Sequence, residues 1–419
     1  MEKSQQRKAI LHEDWTVVVL GFLVIAIILF LFAIPSPSYS WKDSSELGNK
    51  VLTVDNGVKF LWQFLIVFGI GILAMVFTAK PVKSFLLVFP IVAALTLLAL
   101  VLAGNSDVKS LNLEAVIFSL FIGLTVGNTL NLPTWFRETL SAELFVKIGL
   151  VLLGTTVIFS DILKEGSLGI IQALIVVISV WYFAFWICRK FKLDDELSMM
   201  LSSAVSICGV PAAIATAGAI KGDTKKLSYI ISLVLVTAIP MMIFMPYIAR
   251  YFNFPQEVTG AWLGGTIDTT GAVAAAGTLV GEVALKTSTI VKFSQNVLLG
   301  LAAFAISIYW TYSKKEEGKA VEKPTLGLIW ERFPKFVLGF VAASIIFSFF
   351  IPVAQVAAVK DSLKSIQTLW FVLAFTSIGL ETKFSDLFNS ESRKPLYAFL
   401  IAQFFNIIVT LIVAWFLFG

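Results

Sequence analysis

Two short polar stretches interrupt otherwise apolar sequence and carry most of the residue types that could do chemistry. The first reads Ser206-Ile207-Cys208-Gly209-Val210-Pro211-Ala212-Ala213; the second reads Gly264-Gly265-Thr266-Ile267-Asp268-Thr269-Thr270-Gly271. Asp268 is the sharpest single residue. A carboxyl deep in an apolar segment costs roughly 2.5 to 3.5 kcal/mol on insertion scales, and such residues are usually retained for a task. It can act as a proton carrier, as a Na⁺ ligand beside threonine hydroxyls, or as a helix N-cap. Downstream, Lys292 and Asn296 lie one turn apart, with Gln295 between them. Lys292 can pair with Asp268, hold an anion, or snorkel to a surface.

Gly and Pro break the helical hydrogen-bond ladder. In hydrocarbon, freed backbone groups survive only inside protein or beside a water-filled cavity. Paired breaks of this kind mark transporter binding sites. A helix restarting at Pro211 places proline where its missing N–H costs little. The free N–H groups of the next turn then form an anion site. Thr269-Thr270-Gly271 can start a second half-helix in the same way, capped by Asp268 or Thr269. The candidate substrate-binding residues are therefore Ser206, Cys208, Gly209, Pro211, Ala212, Thr266, Thr269, Thr270, Gly271, Lys292 and Asn296. Asp268 and Lys292 are the candidate ion-coupling residues.

The elements that must position these residues are membrane helices. The 419 residues are 58% hydrophobic and 14% charged, too little charge to cover a soluble surface. Runs such as 17–34 and 85–102 are long enough to cross hydrocarbon. The expected fold is an all-α polytopic membrane protein with about eleven spanning helices plus two re-entrant or discontinuous segments. Those helices are expected at roughly 15–35, 58–79, 84–103, 113–130, 145–162, 168–188, 227–250, 284–312, 334–353, 366–382 and 396–418. The interrupted segments are 197–220 and 259–281.

Residues 1–14 carry Lys3, Arg7 and Lys8 and read as a cytoplasmic tail. The run after it is too long for a signal core and reads as a retained first helix. Residues 15–110 read as peripheral helices. The segments 111–257 and 258–419 read as two repeat halves, the second with a charged cytoplasmic linker at 313–333. The repeat rests on Gly154…Phe159-Ser160-Asp161 and Gly379…Phe384-Ser385-Asp386, offset by 225 residues. Counting spans from a cytoplasmic N-terminus makes the copies inverted, an architecture common to secondary transporters. Lysines 221, 225 and 226 stay inside if the first interrupted segment enters and returns; two crossing, discontinuous helices are the alternative.

Several function classes are excluded. His12 is the only histidine, so no histidine metal cluster or relay lies in the membrane, and Cys208 has no base for an intramembrane enzyme. Two cysteines in apolar sequence form no disulfide or zinc framework. No phosphate loop for ATP-driven transport is present. The protein is therefore expected not to be an enzyme and to need no cofactor beyond Na⁺ or H⁺ as coupling ion.

At these residues the sequence resembles a known family. Ile207-Cys208-Gly209 with Ala213-Ile214 resembles an intramembrane Ile-Cys-Gly-x-Ser-Ala-Ile motif. Asp268-Thr269 with Val273-Ala274-Ala275-Ala276-Gly277 resembles a second motif, and Val291-Lys292-Phe293 and Leu152-Leu153-Gly154 resemble two further ones. These belong to the YeiH-type sulfate exporter family of bacterial inner-membrane proteins, over roughly residues 110–418. The resemblance implies transport of a small anion such as sulfate, a sulfonate or a carboxylate. Pro211, Ile267 and Gln295 depart from the family's Ser, His and Arg. The reading is thus a secondary active transporter of a small anion in the bacterial inner membrane, multi-pass with its N-terminus cytoplasmic. Its partners are the anion, the lipid bilayer and a second copy in a homodimer, with no nucleic acid. A cation/proton antiporter using Asp268, and an ion channel, are the alternatives.

Overall fold

The structure is a computed structural model that describes residues 10–31, 34–110, 115–313, 327, 330, 333–382 and 393–419. In chain order its principal helices are α1 (Glu13–Ala26, continued by a π turn, Ile27–Leu31), α2 (Val54–Phe77), α3 (Val82–Ala103), α4 (Ala115–Thr129) and α5 (Ala142–Leu153). Then come α6 (Phe159–Lys190), α7 (Asp195–Ser203), α8 (Val210–Ile220), α9 (Thr224–Tyr251), α10 (Gln256–Thr266) and α11 (Thr270–Val280). The chain ends with α12 (Glu282–Ser313), α13 (Lys335–Phe349), α14 (Val353–Glu381) and α15 (Lys394–Phe418). No strand occurs among the described residues. Nine helical stretches there are long and apolar enough to cross a membrane. This is a polytopic helical membrane protein.

Local chemistry sets the boundaries. Asp194 accepts from Leu197 N at 3.0 Å and caps α7. Asp223 accepts from Lys225 N and Lys226 N and caps α9. Prolines 81, 133, 255 and 352 stand at the entries of α3, a short helix at Thr134–Thr139, α10 and α14, where no N–H is needed.

Each of the eleven expected spans corresponds to a helix, with corrections. The helices at 113–130 and 334–353 shorten to α4 and α13, of 15 residues each. The boundary placed at 162–168 falls at Val157-Ile158, because Thr155 and Thr156 hydroxyls turn back onto Leu152 O and Leu153 O. The helix expected from 366 begins at Val353, since Lys360, Asp361 and Lys364 extend it as a polar first half. Residues 1–9 of the tail, nearly all of the 313–333 linker, and Phe384-Ser385-Asp386 of the repeat lie outside the described residues.

The chain forms two compact units: Met1–Phe159 with Lys335–Lys383, and Ser160–Pro334 with Phe384–Gly419. In the first, α14 packs on α4 and α5. A Cβ on Gly379 would lie 2.6 Å from Leu120 O on α4, and one on Gly154 would lie 2.3 Å from Phe340 O on α13. Both glycines matched by the 225-residue offset make close backbone approaches to a neighbouring helix. The chain's crossings after Phe159 and after Lys383 are spaced within one residue of that offset. Thr96 and Thr376 hydroxyls meet at 2.8 Å inside this unit, and Arg137 donates to Leu380 O at 2.6 Å.

The second unit holds both interrupted segments, and each is a hairpin. Lys226 Nζ at the start of α9 lies 2.8 Å from Asp194 and 3.1 Å from Glu196 at the start of α7. The segment therefore returns to the level at which it entered. Likewise Gln256, at the start of α10, lies against Gly281 just after α11. Arg250, at the end of α9, donates to Leu279 O on α11. The bases of the hairpins sit at opposite ends of α9, whose 28 residues span about 42 Å at ~1.5 Å per residue.

Candidate functional site: the tips of two hairpins

The tips meet. A Cβ on Gly209 would lie 3.1 Å from Asp268 Cβ and 2.7 Å from Val234 Cγ1. Gly209 holds φ +65° and ψ −115°, a conformation that L side chains rarely adopt. It ends a π turn, Ala204–Cys208, closed by Gly209 N on Ala204 O at 3.0 Å. Helix α8 starts immediately, with Pro211 in its first turn. In the second tip, Ile267 and Asp268 leave helical geometry and Thr269 caps α11, its hydroxyl accepting from Ala272 N at 3.4 Å.

Each tip exposes two kinds of helix end, and the protein treats them differently. The carbonyl ends of the incoming half-helices are closed by long polar side chains from α12 and α15. Gln295 Nε2 donates to Ser206 O at 2.9 Å and to Gly265 O at 3.2 Å, tying the two hairpins together. Lys292 Nζ donates to Ile207 O and to Gln295 Oε1, both at 2.9 Å. Gln403 Nε2 donates to Thr266 O at 3.0 Å. Asn406 Nδ2 donates to Val205 O at 3.1 Å and Thr266 O at 3.3 Å. A helix C-terminus carries partial negative charge, so the Lys292 ammonium is favourably placed there. The N–H groups of the first turns of α8 and α11 have no intrahelical acceptor. At these restarts Pro211 is exposed, and Thr269, Thr270 and Gly271 are half-buried. The accessible ends are thus the ones with partial positive charge.

The predicted residues divide accordingly. Gly209, Pro211, Ala212, Asp268, Thr269, Thr270, Gly271 and Asn296 gather at the restarts, where Asn296 Nδ2 donates to Thr270 Oγ1 at 3.2 Å. Ser206, Cys208, Thr266 and Lys292 gather at the carbonyl ends. The Ser206 hydroxyl is spent on Ser202 O at 2.7 Å. Lys292 is 1% exposed, so it does not snorkel, and no direct ion pair joins it to Asp268 among the described residues. Lys286 pairs with Asp161 and Glu165 on α6 at 3.0 and 2.9 Å. Thr155, Thr156, Asn128, Thr376, Ser377 and Glu381 belong to the first unit.

Sequence reasoning missed Gln403 and the part that Asn406 plays at the tips. The available signal was spacing: Gln403, Asn406 and Thr410 line one face of an apolar helix. Thr410 Oγ1 donates to Asn406 Oδ1 at 2.8 Å and fixes that amide. Gln172 on α6 was also missed; its Nε2 donates to Ala261 O at 2.7 Å.

A UPF0324 membrane protein of Rhodopirellula baltica is 40% identical over 370 residues, covering 85% of this chain and 67% of that protein. One from Nitratidesulfovibrio vulgaris is 39% identical over 364 residues, covering 84% of this chain and 62% of that protein. A third, from Nitrosomonas europaea, is 30% identical over 316 residues, covering 67% of this chain and 64% of that protein. The chain thus covers about two thirds of the length of each of these three relatives. No solved structure matches it. The family resemblance drawn from the intramembrane motifs holds. With residues 84–398 matching its description, the chain belongs to the membrane-protein family named Conserved hypothetical protein 698.

Proposed function

We propose that the protein is a secondary active transporter that moves a small anion, sulfate-like, sulfonate or carboxylate, across the bacterial inner membrane by alternating access. One observation carries this reading: the hairpin tips meet with their carbonyl ends closed by Lys292, Gln295, Gln403 and Asn406, while their N–H ends stay accessible. Two such N-termini bind an anion without an arginine. The position-specific basic residues support a cytoplasmic N-terminus.

The test is counterflow in proteoliposomes with labelled sulfate, methanesulfonate or acetate, beside a thermal-shift screen of the same anions. Saturable counterflow for one of them is expected, weakened at least tenfold in Asp268→Asn and in Lys292→Ala. Flux without saturation or counterflow means a channel instead. Wild-type transport and ligand responses in both variants mean that the tips are not the site. A cation/proton antiporter is the second reading, favoured by the buried Asp268 Oδ2, which has no hydrogen-bond partner.

A further inference from the structure

The tips contain a mismatch that the anion reading leaves unexplained. Asp268 is 2% exposed, Thr266 1% and Gln403 4%. Asp268 Oδ2, Thr266 Oγ1 and Gln403 Oε1 are all buried, and none has a hydrogen-bond partner. These residues are neighbours: the Gln403 amide donates to the Thr266 carbonyl at 3.0 Å and also faces the Asp268 carboxyl as a donor, while Asp268 Oδ2 itself has no partner within hydrogen-bond distance. The amide cannot turn to relieve the mismatch. Flipping it would set Oε1 against Thr266 O, acceptor on acceptor. The Lys292 ammonium makes no ion pair with this carboxyl; the two hydrogen bonds it forms go to Ile207 O and Gln295 Oε1. Buried polar atoms are normally satisfied, and an unsatisfied carboxylate oxygen costs the most.

Three buried oxygens, none with a partner within hydrogen-bond distance, can serve a hard cation. Carboxylate, amide carbonyl and hydroxyl are ligands for such ions. We propose that Asp268 Oδ2, Gln403 Oε1 and Thr266 Oγ1 form a monovalent-cation site, filled by Na⁺, at the junction of the two hairpin tips. Its occupancy neutralises Asp268 beside the N–H ends of α8 and α11. An anion approaching those ends meets the Asp268 charge when the cation is absent and a neutral pair when it is present. Cation and anion are then bound together and carried in the same direction. The coupling rests on the anion reading above; the cation site does not.

The experiment is ²²Na⁺ binding to the purified full-length chain at fixed pH, with choline replacing Na⁺ at constant ionic strength. Saturable binding is expected, weakened at least tenfold in Asp268→Asn and at least threefold in Thr266→Val. Thr266→Val removes only a hydroxyl without a partner, so its melting temperature in choline should match wild type and separate lost binding from misfolding. Absence of saturable Na⁺ binding in the wild type, or unchanged binding in Asp268→Asn, overturns the proposal. A second arm measures sulfate, methanesulfonate and acetate binding with and without Na⁺. Coupling predicts a tenfold or greater gain with Na⁺ that disappears in Asp268→Asn. Anion binding indifferent to Na⁺ overturns the coupling and leaves the anion reading standing. Asp268-dependent Na⁺ binding with no response to any of the three anions supports the cation site and counts against the anion reading.

Discussion

Gln295→Met is the most direct probe of how the tips are held. Gln295 is 1% exposed, and its one amide serves three groups: Ser206 O, Gly265 O and the Lys292 ammonium. Methionine keeps the volume and removes all three bonds. An unsatisfied buried carbonyl costs about 1–3 kcal/mol, and a hydrogen bond to a charged donor contributes about 1.5–3 kcal/mol. Lys292 retains Ile207 O, so the lysine's share falls at the low end. The two carbonyls and the weakened lysine together give a loss of about 3.5–7.5 kcal/mol in the stability of the joined tips. At ~1.4 kcal/mol per factor of ten, opening of the tips becomes more than about a hundredfold more frequent. Hydrogen exchange reads this directly at the amides of 203–209 and 263–268, with α2 and α3 in the other unit as an internal reference. Local opening on this scale is the regime such exchange resolves. Exchange at both tips changed by less than about tenfold would mean that the carbonyl ends do not depend on this amide. Acceleration at one tip alone would mean that Gln295 does not join the hairpins.

Two further perturbations address the hairpins separately. Gly209→Ala forces a Cβ into positive-φ backbone 2.7 Å from Val234; it should destabilise by about 1–3 kcal/mol and lower the thermal midpoint, and an unchanged midpoint would deny the strained tip. At the base of the first hairpin, burial raises the Asp194 carboxyl pKa, but hydrogen bonds from Lys226 and Leu197 N outweigh it and hold the group below the usual carboxylate range. A folded pKa below the unfolded value means that this stability is present above the unfolded aspartate pKa and lost as pH falls through the folded one. Exchange at 195–200 should therefore rise on acidification in the wild type. In Asp194→Asn it should be faster at neutral pH and less dependent on acid, and equal profiles would refute the link.

Much of this arrangement was legible before the structure. The apolar runs gave the spans because a bilayer demands about twenty apolar residues per crossing. The breaks at Gly209-Pro211 and at Asp268 stood out because nothing else in an apolar run explains them. What sequence hid was partnership. Lys292 looked like a counter-ion for Asp268 since both are charged and both lie in apolar sequence. Its actual acceptor, Ile207 O, is a backbone atom whose availability depends on where a helix stops. Gln403 was invisible for the same reason: its role is defined by a carbonyl 137 residues away in the chain. Helix boundaries slipped where polar residues continue a helix beyond its apolar part, as Lys360 and Asp361 do in α14.

The choice of capping residues bears on how such a site could work. Satisfying the carbonyl ends with backbone or water would have closed the tips equally well. Here the caps come instead from two full-length helices, α12 and α15, and Gln295 and Asn406 each bridge both hairpins. A ligand that pulls on one tip therefore displaces the other through the same side chains. Because the hairpin bases lie at opposite ends of α9, the two tips belong to segments that approach from opposite directions. Exclusive opening, with one hairpin released while the other stays joined to α12 and α15, follows if breaking one set of these bonds strengthens or spares the other. That condition is local to four side chains and can be broken one bond at a time.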